Sequence, residues 1–254
     1  MQIHWIGGNM PQIGKAWAVR ALTESLFERD NKAPLVVDTS PKSPLSQIYN
    51  PLLLKTHQPA HYFDDNGLAA DEILSLAEFY RIIVVKLASY TQDTFLSWLK
   101  NSGILDIEIE QHFWFVTNGH RDSFIYFTEI CRYDAWQIHW VRNHYGRTWL
   151  DADRQTPNLI NVCDLPGIIS NPYEIDYIEV NRIILKHLVA QKNNGLSSLT
   201  RRRVKMFLDR SHQSFLKCST DENKDVTNAI PPLATPESVV SEAYDLALDL
   251  DLIK

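Results

Sequence analysis

The sequence predicts an α/β protein, a mostly parallel twisted sheet with helices on both faces. Three observations predict it. Short apolar runs alternate with helical segments along most of the chain, which is the pattern of βαβ crossovers between strands buried on both faces. A glycine-bracketed loop ending in Gly14-Lys15 joins the first apolar run to the first helical segment. Asp38, Asn143 and Pro166 fall, with that loop, at the carboxyl ends of apolar runs, where parallel sheets bind their ligands.

Ile3–Ile6 is a short apolar strand. From Lys15 the residues Val19, Leu22, Leu26 and Phe27 recur at helical spacing with Arg20, Glu24 and Glu28 between them, so an amphipathic helix is expected until Asp30-Asn31-Lys32 breaks it. Leu35–Asp38 is a buried strand ending on a carboxylate. Pro41 and Pro44 remove ladder donors and rule out a central strand there, and 45–70 reads as a long surface excursion. Ala69–Phe79 is a helix, Ile82–Leu87 a fully buried strand, and Asp93–Lys100 a helix closed by Asn101-Ser-Gly103. His112–Thr117, Trp136–Asn143 and Leu159–Cys163 are the remaining strands, with a helix capped by Asp122 running to Arg132. Two more helices are expected at about 174–190 and 197–216.

A chain of 254 residues, 44% hydrophobic, is long and apolar enough to bury the core of one sizeable domain. The net charge of −6 argues against a global coat of nucleic acid and leaves local basic patches open. Cys131, Cys163 and Cys218 are scattered without a CxxC pair, which reads as reduced thiols. The N-terminus has no basic region before a long apolar stretch, and no window reaches eighteen apolar residues, so a soluble, cytoplasmic protein without a membrane span is expected. The composition shift after residue 217 divides the chain into an α/β domain at 1–217, a linker at 218–235 and a C-terminal amphipathic helix at 236–254. Thr235-Pro236 marks the helix start, and Val239, Val240, Ala243, Tyr244, Ala247 and Leu250 lie among acids. That helix suits docking on its own domain, on a second copy in a homodimer, or on a partner protein.

The loop Gly8-Asn9-Met10-Pro11-Gln12-Ile13-Gly14-Lys15-Ala16 misses the strict Walker pattern but has the length and ends of the deviant Walker A loop, Gly-x-Lys-Gly-Gly-x-Gly-Lys-[Ser/Thr]. It resembles the P-loop of the ParA/MinD family of partition and positioning ATPases. The resemblance covers roughly residues 1–210. Val36-Val-Asp-Thr-Ser-Pro41 is similar to the segment whose aspartate faces the attacking water, Val141-Arg-Asn143 to the adenine-contacting asparagine, and Asp164-Leu-Pro-Gly167 to a late base-packing loop. The general run is also similar to that of cyanobacterial plasmid mobilization proteins of the MobD-like kind. The resemblance implies ATP or ADP as ligand, with Gly8, Gly14, Lys15 and Ala16 around the phosphates, Asn143 and Pro166 at the base, and Asp38 as the one catalytic candidate. It departs from the family where Met10 replaces the signature lysine, Pro11-Gln12 replace two glycines and Ala16 replaces the magnesium-binding hydroxyl. Lys86 stands where a metal-holding aspartate ends the third strand, and the nearest downstream carboxylate is Asp93. Magnesium thereby loses two usual contacts, and phosphoryl transfer depends on such positive groups. Weak or absent ATP hydrolysis is expected, that is, a pseudo-ATPase. Lys86 either snorkels from a strand end or offers its ammonium to phosphate in the metal's place.

Other constellations are weaker. His57 and His61 with Asp64 or Asp65 have metal-ligand residue types, but Pro59 between the histidines breaks the helical spacing, so exposed loop histidines are expected and no metal site. His112, His139 and His144 fall in strands or at their ends and read as structural. Phe113, Trp114, Phe115, Trp136 and Trp140 alternate in apolar runs and read as core rather than base-stacking platforms. Arg201, Arg202, Arg203, Lys205 and Arg210 form a basic face on a helix whose Leu199, Val204, Phe207 and Leu208 can pack inward. That face suits either nonspecific contact with DNA phosphates or plain solvation. Two readings result. One is a degenerate partition or mobilization P-loop protein, and the other is a DNA-associated or partner-binding adaptor with no nucleotide site. An enzyme acting on another phosphorylated substrate in the same crevice ranks third.

Overall fold

The computed structural model describes residues 1–8, 10–40, 44–50, 63, 70–118, 126–127, 129–132, 136–145, 161–168, 171–191 and 195–220. Its strands are β1 (Gln2–Gly7), β2 (Leu35–Asp38), β3 (Ile82–Lys86), β4 (Glu110–Thr117), β5 (Gln137–Asn143) and β6 (Val162–Leu165). Its helices are α1 (Lys15–Asp30), α2 (Pro44–Tyr49), α3 (Asp71–Ala77), α4 (Gln92–Asn101), α5 (Pro172–Val180), α6 (Leu185–Ala190) and α7 (Ser198–Thr220). The strands form one sheet in the order β2-β3-β1-β4-β5-β6, and every pairing is parallel. The expected α/β architecture is therefore present.

Strand periodicity divides the core into two layers. Trp5, Val37, Val85, Phe113 and Phe115 point to one face and pack with Phe95, Trp98 and Leu99 of α4 and Ile73 of α3. Ile6, Val36, Val84, Trp114 and Val116 point to the other and pack with α1, α2, α5, α6 and α7. Because both faces are covered, the central strands read as unbroken apolar runs. The aromatic residues of β4 and β5 are core, as their alternation indicated: Trp114, Phe113 and Phe115 are fully buried.

Several boundaries differ from the sequence reading, each for a local reason. Part of the 45–70 excursion is internal. Leu45 and Ile48 of α2 are buried against the face carrying α1, and Phe63 packs edge-on to Phe95 and Trp98. Pro44 opens α2, where its missing N–H leaves no helical hydrogen bond unmade. The last strand lies at Val162–Leu165 instead of 159–163. The helix expected over 174–190 is two helices. Arg182, at φ 53°, ends α5 in a Schellman arrangement, its N–H donating to Glu179 O at 3.1 Å and that of Ile183 to Ile178 O at 3.1 Å. With Arg where Gly or Asn is usual, nothing in the composition announces the break.

Helix α1 is not amphipathic in the expected sense. Arg20 and Glu24, assigned to its solvent side, are buried, because α2 and the α5–α6 elbow cover that side. Arg20 donates to Ile183 O at 2.9 Å and pairs with Glu179 at 3.3 Å, while Tyr49 donates to Glu24 at 3.3 Å. Leu199, expected inside, is exposed. The three reduced thiols become one free thiol, Cys131, and a Cys163–Cys218 disulfide whose Cα atoms lie 6.4 Å apart across 55 residues of sequence. Spacing alone could not show that β6 and the last turns of α7 meet.

The chain divides into a unit at Met1–Cys218 and another at Ser219–Lys254. The expected linker beyond residue 220, the expected helix at 236–254, Asp122, and the histidine and aspartate group of 57–65 lie outside the described residues. No helix among the described residues is long and apolar enough to cross a membrane.

Candidate functional site

Neighbouring strands β1 and β3 send the chain to opposite faces, β1 into α1 and β3 into α4. A crevice opens outside the carboxyl ends of two such strands, which is where α/β sheets take ligands. The loop 8–14 leaves β1 at this point. Gly14 (φ 95°) is the N-cap of α1 and makes no side-chain cap hydrogen bond, and the first-turn N–H groups point out of the crevice end of the helix. Gln12, standing where the resembled loop has glycine, keeps a glycine-like conformation at φ 58°. A methyl group at Gly14 would strike the Asn143 amide, so the loop and the end of β5 are in direct contact.

Lys15 is the centre of this site. Only 5% of it is exposed, and its ammonium donates to Gly8 O at 2.7 Å, Met10 O at 3.3 Å and Ser89 Oγ at 3.2 Å. The lysine thus bridges the loops that follow β1 and β3. Burial lowers its pKa to about 7; the Lys86 ammonium pushes the same way and Asp38 opposes.

Asp38 and Lys86 are register partners at the ends of β2 and β3. Asp38 is fully buried. One carboxylate oxygen accepts from Lys86 Nζ at 2.9 Å and from Ser40 N at 3.0 Å, and the other from Leu45 N at 3.3 Å. Lys86 donates also to Ser40 Oγ at 2.5 Å. The catalytic candidate Asp38 therefore serves as a counter-ion and as an anchor for the turn into α2. Thr39 Oγ1 links the same two strand ends, donating to Lys86 O at 3.0 Å and accepting from Ala88 N at 2.9 Å.

Asn143 lies two strands away from β1, about 10 Å at the usual spacing. Its amide donates to Ile13 O at 2.8 Å and accepts from Tyr145 N at 2.9 Å, which fastens the P-loop-like turn to β5. Pro166 follows Leu165, the register partner of Asn143, so both base-side candidates share one corner of the sheet edge. Ala16 lies half-buried in the first turn of α1 and carries no hydroxyl. The structure thus brings Gly8, Gly14, Lys15, Ala16, Asp38 and Asn143 along one edge, with Pro166 at its far end. Sequence reasoning passed over Ser40, Ser89 and Thr39, whose hydroxyls knit the two lysines into the edge. Their one signal was position immediately after strands ending in Asp38 and Lys86.

The basic residues of α7 occupy its solvent side, since Val204, Phe207, Ser211 and Phe215 take the buried arc. Arg202 and Arg210 are exposed. Lys205 pairs with Asp209 at 2.6 Å, and Arg201 folds back to donate to Leu196 O at 3.0 Å. Arg203 is half-buried. Among the described residues no group of three or more His, Cys, Asp or Glu side chains is placed to hold a metal ion.

No protein-family model matches the sequence, and no curated protein does. Among solved structures the chain is similar to a crystal structure described as that of a plasmid partition protein of Borrelia burgdorferi B31 bound to AMPPNP. The two share 11% identity and a TM-score of 0.49, over 85% of this chain and 98% of that one.

Proposed function

We propose that the chain is a ParA/MinD-like P-loop protein that binds a nucleotide di- or triphosphate at the 8–16 loop and hydrolyses it weakly or not at all. The setting we propose is plasmid partition or mobilization, in a homodimer or with a partner protein, with the basic side of α7 resting on DNA phosphates. The nucleotide then acts as a conformational ligand. In this reading Asp38 is the partner of Lys86 and not a general base. The observation that carries the proposal is the buried Lys15 ammonium, set beside an uncapped helix start at the sheet's switch point. The motif resemblance and the loop's contact with Asn143 support it. Pseudo-ATPase character is supported by Ala16, by Lys86 at a strand end where a carboxylate would hold metal, and by the three hydrogen bonds that occupy Asp38.

One observation favours the adaptor reading: Lys15 already has three acceptors within its own loops. The melting temperature with ATP, ADP or neither decides between the two. A ligand at a hundredfold its dissociation constant adds about 2.7 kcal/mol of stability. A shift of that size, absent in Lys15→Ala, is expected; no shift at millimolar nucleotide refutes the nucleotide site and leaves the adaptor.

A further inference from the structure

A divalent cation beside the phosphates needs oxygen ligands, and magnesium needs several in near-octahedral array. Among the described residues that follow β2 and β3, the side-chain oxygens nearest the two lysines are already engaged. Both carboxylate oxygens of Asp38 accept hydrogen bonds, Ser40 Oγ receives Lys86, Thr39 Oγ1 ties Lys86 O to Ala88 N, and Ser89 Oγ receives Lys15. Ala16 contributes none. With Lys15 protonated, the form an anionic ligand favours, two ammonium groups stand near one carboxylate and the cluster carries one net positive charge. It repels a divalent cation and attracts an anion. The residues present do not fit magnesium.

The register places the second ammonium where such a cation would be useful. Lys86 is the Cα partner of Asp38 on one side and of Ile6, just before the loop, on the other. It is near enough to Lys15 to oppose that ammonium's charge. Asp38 and Ser40 fix its direction, so it is a held point charge instead of a mobile one.

We propose that the crevice takes its polyphosphate ligand without magnesium, the Lys86 ammonium held by Asp38 and Ser40 standing in for the metal. This rests on the nucleotide-site reading and adds to it a metal requirement of zero and a second phosphate-binding lysine.

The test measures melting temperature and equilibrium binding of ATP, ADP and pyrophosphate to the full chain, in excess EDTA and in excess magnesium. The same is then done with Lys86→Arg and with the doubly neutral Asp38→Asn/Lys86→Met, which removes that ion pair as a whole. The expected result is equal or tighter binding in EDTA, retention in Lys86→Arg, and a loss of about tenfold to a hundredfold in the double variant, the worth of one hydrogen bond to a charged group. Binding that requires magnesium overturns the inference and leaves the nucleotide site standing. So does EDTA binding that the double variant preserves. Absence of binding under both conditions in the unsubstituted chain removes the site and the inference together. The EDTA comparison on the unsubstituted chain decides the metal requirement even where a variant fails to fold.

Discussion

On the proposed nucleotide site, Lys15 should couple ligand binding to proton uptake. Its ammonium is buried with a neighbouring Lys86, and its pKa falls from 10.5 to about 7, a displacement corresponding to about 5 kcal/mol. At pH 8 about 0.9 of the sites are then neutral, whereas an anionic phosphate in contact restores the charged form. Binding of ADP at pH 8 should therefore take up about 0.9 proton per site, against about 0.1 at pH 6, and affinity should fall about tenfold per pH unit from about 7 towards 10. Calorimetry in two buffers of different ionisation enthalpy reads the proton number as the slope of observed against buffer enthalpy. Lys15→Arg, which stays charged, should bind with no slope. The unliganded protein reports the same displacement. Its unfolded state holds more protons than the folded one between pH 7 and 10.5, so stability should rise with pH through that window. A zero slope at pH 8 in the unsubstituted chain would show that Lys15 is protonated before the ligand arrives, and the reasoning from burial would fail.

Three further outcomes are expected. His4, His112 and His139 stack in the core, with Trp114 donating to His4 Nδ1 at 3.1 Å and Glu110 at 2.9 Å from His112. Burial holds all three below the usual histidine value, Glu110 opposing at His112, so the unfolded chain binds more protons at these groups and their contribution to stability should be complete above about pH 6.5 and fall below it. The steepest fall is about 4 kcal/mol per pH unit for three protons, read by urea unfolding at pH 7.5, 6 and 5, and a flat profile would contradict it. Gly14→Ala should destabilise by about 2 kcal/mol, because φ is 95° and the methyl meets Asn143, lowering the melting temperature by about 4–8 °C; an unchanged melting temperature would refute the loop geometry. Charge reversal at the exposed Arg202 and Arg210 should weaken duplex DNA binding and reduce its salt slope by about 0.9 per lost phosphate contact, without changing stability; unchanged binding would make α7 a solvated face.

What the sequence made legible follows from which forces are local. Apolar runs mark strands because both faces of a parallel sheet are buried, and Ile82–Lys86 and Leu35–Asp38 were readable on that ground alone. Asn31 in the left-handed conformation ends α1 where a polar cluster announced it. What was illegible depends on partners far along the chain. Arg20 and Glu24 look solvent-facing by helical spacing; the α5–α6 elbow, about 160 residues later, makes Arg20 internal by supplying Ile183 O and Glu179, and α2 brings Tyr49 to Glu24. The elbow itself is hidden because Arg182 takes a conformation for which glycine is the usual sign.

The candidate site shows the same division at higher resolution. Strand ends can be found one at a time, so Lys15, Asp38, Lys86 and Asn143 were each visible as residues at the right edge. Their pairing was not, because it is set by register: a shift of one residue between β2 and β3 would turn Lys86 to the other face and leave Asp38 a buried, unpaired carboxylate. Val36–Val84 and Val37–Val85 lie behind that pair in the same register. Because both faces are buried, their apolar side chains alone would tolerate the slip; the buried Asp38–Lys86 pair opposes it. Altering the apolar pairs behind Asp38 should disturb the Asp38–Lys86 pair before it disturbs the loop at 8–14.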